Sequence, residues 1–220
     1  MSGGGFPIDI LLFGMIAAFL VLRLRSILGR RTGFERPRDG ASNVVGLRPA
    51  TPAIEAPAEP ATPARPLPAP SSPAGRALAQ IQQADRTFDP AHFLTGAEAA
   101  FRIIVGAFAK GDRTALSSLL TDATYAGFDA VITSRETAGE TQRSEIRGME
   151  TVAIEEAGLV GTLASITTRF VSDQISETTD KEGKPVAGTD AVTEITDLWT
   201  FERNLSQPDP AWRLSATRSG

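Results

Sequence analysis

One histidine, His92, and a scatter of carboxylates are the side chains of this 220-residue sequence best suited to moving a proton. A general base needs its imidazole in a pocket beside a carboxylate. Asp89 and Glu98 are the neighbours of His92 in sequence, but Asp89, directly before Pro90, is better placed as a helix N-cap. A lone histidine near a helix start is ordinary, so His92 is expected to be exposed or structural. Asp197 offers a second chemistry. Ile195, Asp197, Trp199, Phe201 and Arg203 alternate along a strand-like stretch and share one face, with Leu198 and Thr200 on the other. An inward Asp197 would be a carboxylate in an apolar cavity, with its pKa raised. The competing role is a buried carboxylate hydrogen-bonded to an arginine such as Arg169. Asp197, Trp199, Phe201 and Tyr125 are therefore the candidate cavity or partner-binding residues, while Glu194 and Glu202 belong to a solvated face.

Other chemistries find no residues. Without cysteine there is no disulfide, iron–sulfur or thiolate zinc site, and a single histidine argues against a histidine-rich metal site or a Ser-His-Asp triad. The chain carries no phosphate loop, dinucleotide fingerprint or metal-ligand spacing. No catalytic residue, cofactor or metal is expected, and the protein is not expected to be an enzyme. Lysine and arginine total 22 against 26 acidic residues, a net charge of -4, and residues 89–220 show no basic stripe interleaved with aromatics. Nucleic acid is excluded as a partner on that basis.

Charge and composition divide the chain into three pieces. Residues 1–38 hold six arginines against Asp9 and Glu35, whereas the rest is acidic. From Phe6 to Leu22 the residues are apolar except for Asp9, enough for a helix of about 26 Å against a hydrocarbon core of about 30 Å. A cleaved signal peptide would need basic residues before this stretch and small ones after it; here Arg23 and Arg25 follow it instead. The reading is an uncleaved single-pass membrane anchor, through Phe6, Phe13, Phe19, Arg23 and Arg25, in contact with membrane lipids. Positive charge on its C-terminal side places the remainder in the cytoplasm. Residues 39–74, rich in proline and alanine, lack apolar periodicity and read as a disordered spacer with a reach of about 110 Å.

Residues 75–220 carry the periodicity of a folded domain. Leu78 and Ile81 mark a short helical lead-in. Phe93, Ala97, Ala100, Phe101, Ile104 and Phe108 then form one helix face that stops at Gly111. Asp112 caps a second helix, with Leu116, Leu119 and Leu120 inside. Asp122 is expected to cap a third that ends near Gly139, with Tyr125, Phe128, Val131 and Ile132 on a face. Beyond Gly139 the period falls to about two. Strands are expected over 144–154, 159–179, 191–205 and 211–217, with turns at 180–184 and 207–210. Helices followed by antiparallel strands define an α+β layer, a curved sheet wrapped against helices around a cone-shaped concavity.

The stretches FDPAHFLTGAEAAFRIIVGAFAKGDRTALSSLL, FDAVITSRETAGET and EITDLWTFERNLSQPDPAWRLSAT resemble the bacterial TimA family. Its relatives include the C-terminal domain of the mitochondrial inner-membrane translocase tether that recruits the import-motor chaperone. The resemblance covers roughly residues 88–218, and the anchor and spacer also resemble the bacterial members. It implies a nuclear-transport-factor-two-like α+β fold and membrane-associated adaptor or scaffold work with an unidentified protein partner, in protein translocation or membrane-protein assembly. The alternative is a small-molecule enzyme or lipid-binding protein that uses the cone-shaped cavity.

Overall fold

The computed structural model describes residues 62–219; the expected anchor and residues 39–61 of the expected spacer lie outside the described residues. Four helices come first: α1 (Pro73–Ala84), α2 (Pro90–Lys110), α3 (Arg113–Leu119) and α4 (Asp122–Ala138). Their ends follow from local chemistry. Ser72 caps α1 ahead of Pro73, and the Asp89 carboxylate accepts the His92 backbone N–H at 2.6 Å ahead of Pro90. Helix α2 closes at Gly111 and α4 at Gly139, with φ of 70° and 72°, a left-handed conformation that glycine adopts without strain. The cap of α4 differs from expectation. Thr121 holds that place, and Asp122 lies one residue inside, where its charge favours the positive end of the helix.

The strands are β1 (Thr141–Val160), β2 (Leu163–Thr179), β3 (Pro185–Asn204) and β4 (Arg213–Ser219). They form one antiparallel sheet in the order β1-β2-β3-β4. Strand β1 is longer than its apolar pattern suggested. It continues through Glu155 and Glu156 to a hairpin at Gly161 and Thr162. Register shifts after Ile146, Met149 and Ile154 accommodate the broken alternation as bulges, which bend the strand and curve the sheet. The turn at 180–184 is as expected, closed by the Asp180 N–H donating to the Lys184 carbonyl at 2.9 Å. Strand β4 covers β3 only along Asp197–Glu202.

The core lies between α2 and the sheet. Leu94, Phe101 and Ile104 from the helix meet Ile166, Phe170, Trp199 and Leu214 from the strands. Phe101 stacks on Phe170 with ring centroids 4.4 Å apart and lies 4.5 Å from Trp199. By length and composition α2 could cross a membrane, but its Leu94, Phe101 and Ile104 are fully buried here, as in the central helix of a soluble core.

The expected spacer ends early. Residues 62–74 are not free of the domain: Ala64 bridges to Thr151 on the edge of β1, Arg65 pairs with Glu98, and α1 begins at Pro73. A composition rich in proline does not preclude docking, because proline loses little conformational freedom when it is held.

A candidate binding cleft beside the second helix

The residues 85–89 joining α1 to α2, the first turns of α2, the end of β3 and the loop at 210–212 surround a surface cleft of about 350 Å³. Its aromatic wall assembles from three parts of the chain. Phe93 packs edge-on against Trp212 at 5.0 Å and against Phe201 at 6.0 Å, and Phe88 lies 5.7 Å from Trp212. Gly96, Ala97 and Ala100 add a flat stretch of α2 without bulky side chains, so the space stays open. His92 and Asp89 stand on the exposed rim. A cleft of this size and polarity suits apolar groups of a ligand or partner.

One ion pair borders it. Arg203 on β3 donates from Nη1 to Asp85 at 2.8 Å, and each side chain is 14% exposed. Asp85 also accepts the Thr87 hydroxyl at 2.6 Å and the Thr87 backbone N–H at 2.9 Å. The Thr87 hydrogen bonds, with Arg203 adding to them, hold the Asp85 carboxyl below its ordinary value of 3.8 despite its burial. The Nε of Arg203 is buried with no hydrogen-bond partner. A depressed carboxylate pKa contributes stability above the unfolded value, and that contribution is lost as pH falls through the folded one. The stability gap between the wild type and Asp85→Asn is therefore expected to stay constant above about pH 5 and to shrink toward about pH 3. Denaturant titrations across that range measure it; a gap that does not change with pH would show that the Asp85 charge contributes nothing.

The residues singled out from sequence divide among several places. Phe201 lines the cleft. Trp199 is buried under Phe101 in the core. Asp197 is 5% exposed and accepts a hydrogen bond from Gln174 Nε2 at 3.2 Å; the same amide donates to Ser172 at 2.9 Å. Arg169, considered as its partner, pairs instead with Glu155 at 3.3 Å. Tyr125 is half-buried on α4, packed against the core and not among the residues lining the cleft. Phe6, Phe13, Phe19, Arg23 and Arg25 lie outside the described residues. Among the described residues no group of three or more His, Asp or Glu is placed to hold a metal. Asp85, Phe88, Phe93, Arg203 and Trp212 were not read from sequence as one site. Asp85 and Arg203 stand 118 residues apart, and no local pattern links them.

An α+β domain with helices on a curved antiparallel sheet and an apolar cleft at one end of the helix layer defines the class of protein. Residues 74–219 match the model of the Tim44-like domain, so the chain belongs to the Tim44-like domain family. No curated protein sequence matches the chain. Among solved structures, the chain is similar to the intermembrane-space region of the chloroplast protein ARC6, with a TM-score of 0.40, 9% identity and coverage of 64% of this chain and 95% of that one. It is also similar to a protein described as a dehydratase from the NTF2-like family from Streptomyces avermitilis, with a TM-score of 0.35, 14% identity and coverage of 60% and 96%. A conserved protein from Planctomyces limnophilus gives a TM-score of 0.32, 18% identity and coverage of 56% and 94%.

Proposed function

We propose that this protein is a membrane-tethered adaptor or scaffold. On this reading its N-terminal helix anchors it in a bacterial inner membrane, and its Tim44-like domain, a nuclear-transport-factor-two-like cone, holds a polypeptide partner at the cytoplasmic face. Protein translocation or membrane-protein assembly is the process such a tether would serve. The observation that carries the reading is the cleft, which has aromatic walls, opens to solvent and is large enough for apolar side chains of a partner segment. A spacer between membrane and domain raises the local concentration of the domain near membrane-bound partners while letting it search. Asp197 is not among the residues lining this cleft, whereas His92 and Asp89 stand on its exposed rim.

Gly96 allows a test that separates binding from folding. It lines the cleft, and a Cβ placed there meets nothing within 4 Å. In Gly96→Leu the new side chain occupies the cleft, and replacing a mid-helix glycine adds roughly 0.5–1 kcal/mol of helix stability. The expected result is an unchanged or raised Tm together with loss of partners that co-purify from detergent-solubilised membranes. A variant that retains every partner of the wild type would reject the cleft as the docking site. For topology, a reporter active only outside the cytoplasm is expected to be silent when fused after Gly220. Strong activity from that fusion would reverse the orientation.

A further inference from the structure

We infer that residues 62–72 form a strap, latched to the domain by Arg65, that makes the N-terminal chain leave on the flank of α2 turned away from the cleft. The fastening consists of a few specific contacts. The Ala64 N–H donates to the Glu150 carbonyl at 2.8 Å, and the Val152 N–H donates to the Ala64 carbonyl at 2.9 Å. Pro66, two residues on, has no N–H to give the next rung, so the parallel bridge cannot extend toward α1. Arg65 then reaches α2, donating from Nη2 to Glu98 at 2.6 Å and from Nη1 to Thr95 at 3.3 Å. The other oxygen of Glu98 accepts Nε and Nη2 of Arg102 at 3.0 and 2.9 Å, so this carboxylate, 8% exposed, is held by two guanidinium groups. At its far end the strap turns into α1, where the Ser72 hydroxyl donates to the Ala69 carbonyl at 2.7 Å.

Helix geometry determines which side this is. The cleft positions on α2 are His92, Phe93, Gly96, Ala97 and Ala100; the strap side carries Thr95, Glu98 and Arg102. At about 100° per residue the two sets centre about 160° apart around the helix. The strap therefore leaves the cleft uncovered. The family match begins at residue 74, so the strap precedes the shared domain. Most of its residues are exposed; Arg65 is the strap side chain that reaches α2, while at the other end the Arg76 guanidinium of α1 donates to the Ser71 carbonyl. The strap stands on its own contacts; only the statement that the cleft faces away from the membrane attachment rests on the tether reading.

The test uses the full chain in detergent micelles and two readouts that need no membrane partner. In the wild type the Ala64 and Val152 amides are expected to be protected from hydrogen exchange. Arg65→Gln is expected to lower their protection by about tenfold or more, the loss of a charge-assisted hydrogen bond, while Phe101 and Ile104 amides stay unchanged. The absence of native cysteine allows spin labels at Thr62→Cys and Ser117→Cys, expected to give a narrow distance distribution that Arg65→Gln broadens. An Ala64 amide exchanging at the unstructured rate in the wild type would overturn the strap, as would a broad wild-type distribution. Unchanged protection in Arg65→Gln would overturn the latch. Failure of the tether reading looks different: the wild-type chain would fractionate away from membranes while both strap signals persisted.

Discussion

Phe101→Ala is expected to lower the unfolding free energy by about 3–5 kcal/mol. The Phe101 ring is fully buried and joins α2 to two strands at once, stacked on Phe170 at 4.4 Å and tilted over Trp199 at 4.5 Å. Removing it deletes apolar burial, breaks two aromatic contacts and leaves a void between helix and sheet. Domains of ordinary stability have about 5–15 kcal/mol in total, so the loss is a large part of it. Phe108→Ala, on the same helix, is expected to cost less. Its ring is partly exposed and packs against Phe128 at 5.0 Å, beneath the guanidinium of Arg135. Urea denaturation with an unchanged m value measures both. Equal midpoints for wild type and Phe101→Ala would mean that α2 is not seated on the sheet in this way.

Gly75→Ala is expected to destabilise the protein by about 1–3 kcal/mol, although alanine is the better helix former. A Cβ at Gly75 would lie 2.1 Å from the Ala69 carbonyl oxygen and 2.9 Å from the Pro70 Cα. Both are backbone atoms of the strap, so no side-chain rotation relieves the clash. Either α1 shifts, disturbing Leu78 and Ile81 in the core, or the strap lifts. The same substitution at Gly96, where the space is open, is expected to stabilise by about 0.5–1 kcal/mol. Thermal melts of the two variants side by side measure the difference. Equal shifts would show that residues 69–70 do not sit over α1.

The sequence by itself determined the elements and their order. Asp89 with Pro90 begins α2, Gly111 and Gly139 end helices, and Asp180–Lys184 makes the turn; each acts through backbone chemistry within a few residues of itself. The change from a helical to a strand period was enough for the α+β class, and the long ordered stretches sufficed for family resemblance. Where local pattern was ambiguous, the boundaries moved. Thr121 rather than Asp122 caps α4, since either type can cap, and β1 passes through Glu155 and Glu156 because bulges absorb a broken alternation.

Tertiary structure decided which of these residues share a site. Alternation places Asp197, Trp199 and Phe201 on one face of β3, but it cannot say where α2 crosses them. Packing lays Phe101 over Trp199 and leaves Phe201 at the wall of the cleft. Phe88, Phe93 and Trp212 join Phe201 only because the end of β3 and the loop that follows it reach the start of α2, and Asp85 finds Arg203 across 118 residues for the same reason. The strap is the clearest case. Its composition is the same whether it is free or docked; what fastens it is the Ala64 bridge, the Arg65–Glu98 ion pair and the packing of residues 69–70 over Gly75. The first two of these exist only once β1 and α2 stand side by side. Local propensity sets the conformation of each segment, whereas contacts between distant segments depend on register and packing, which no short stretch of sequence carries.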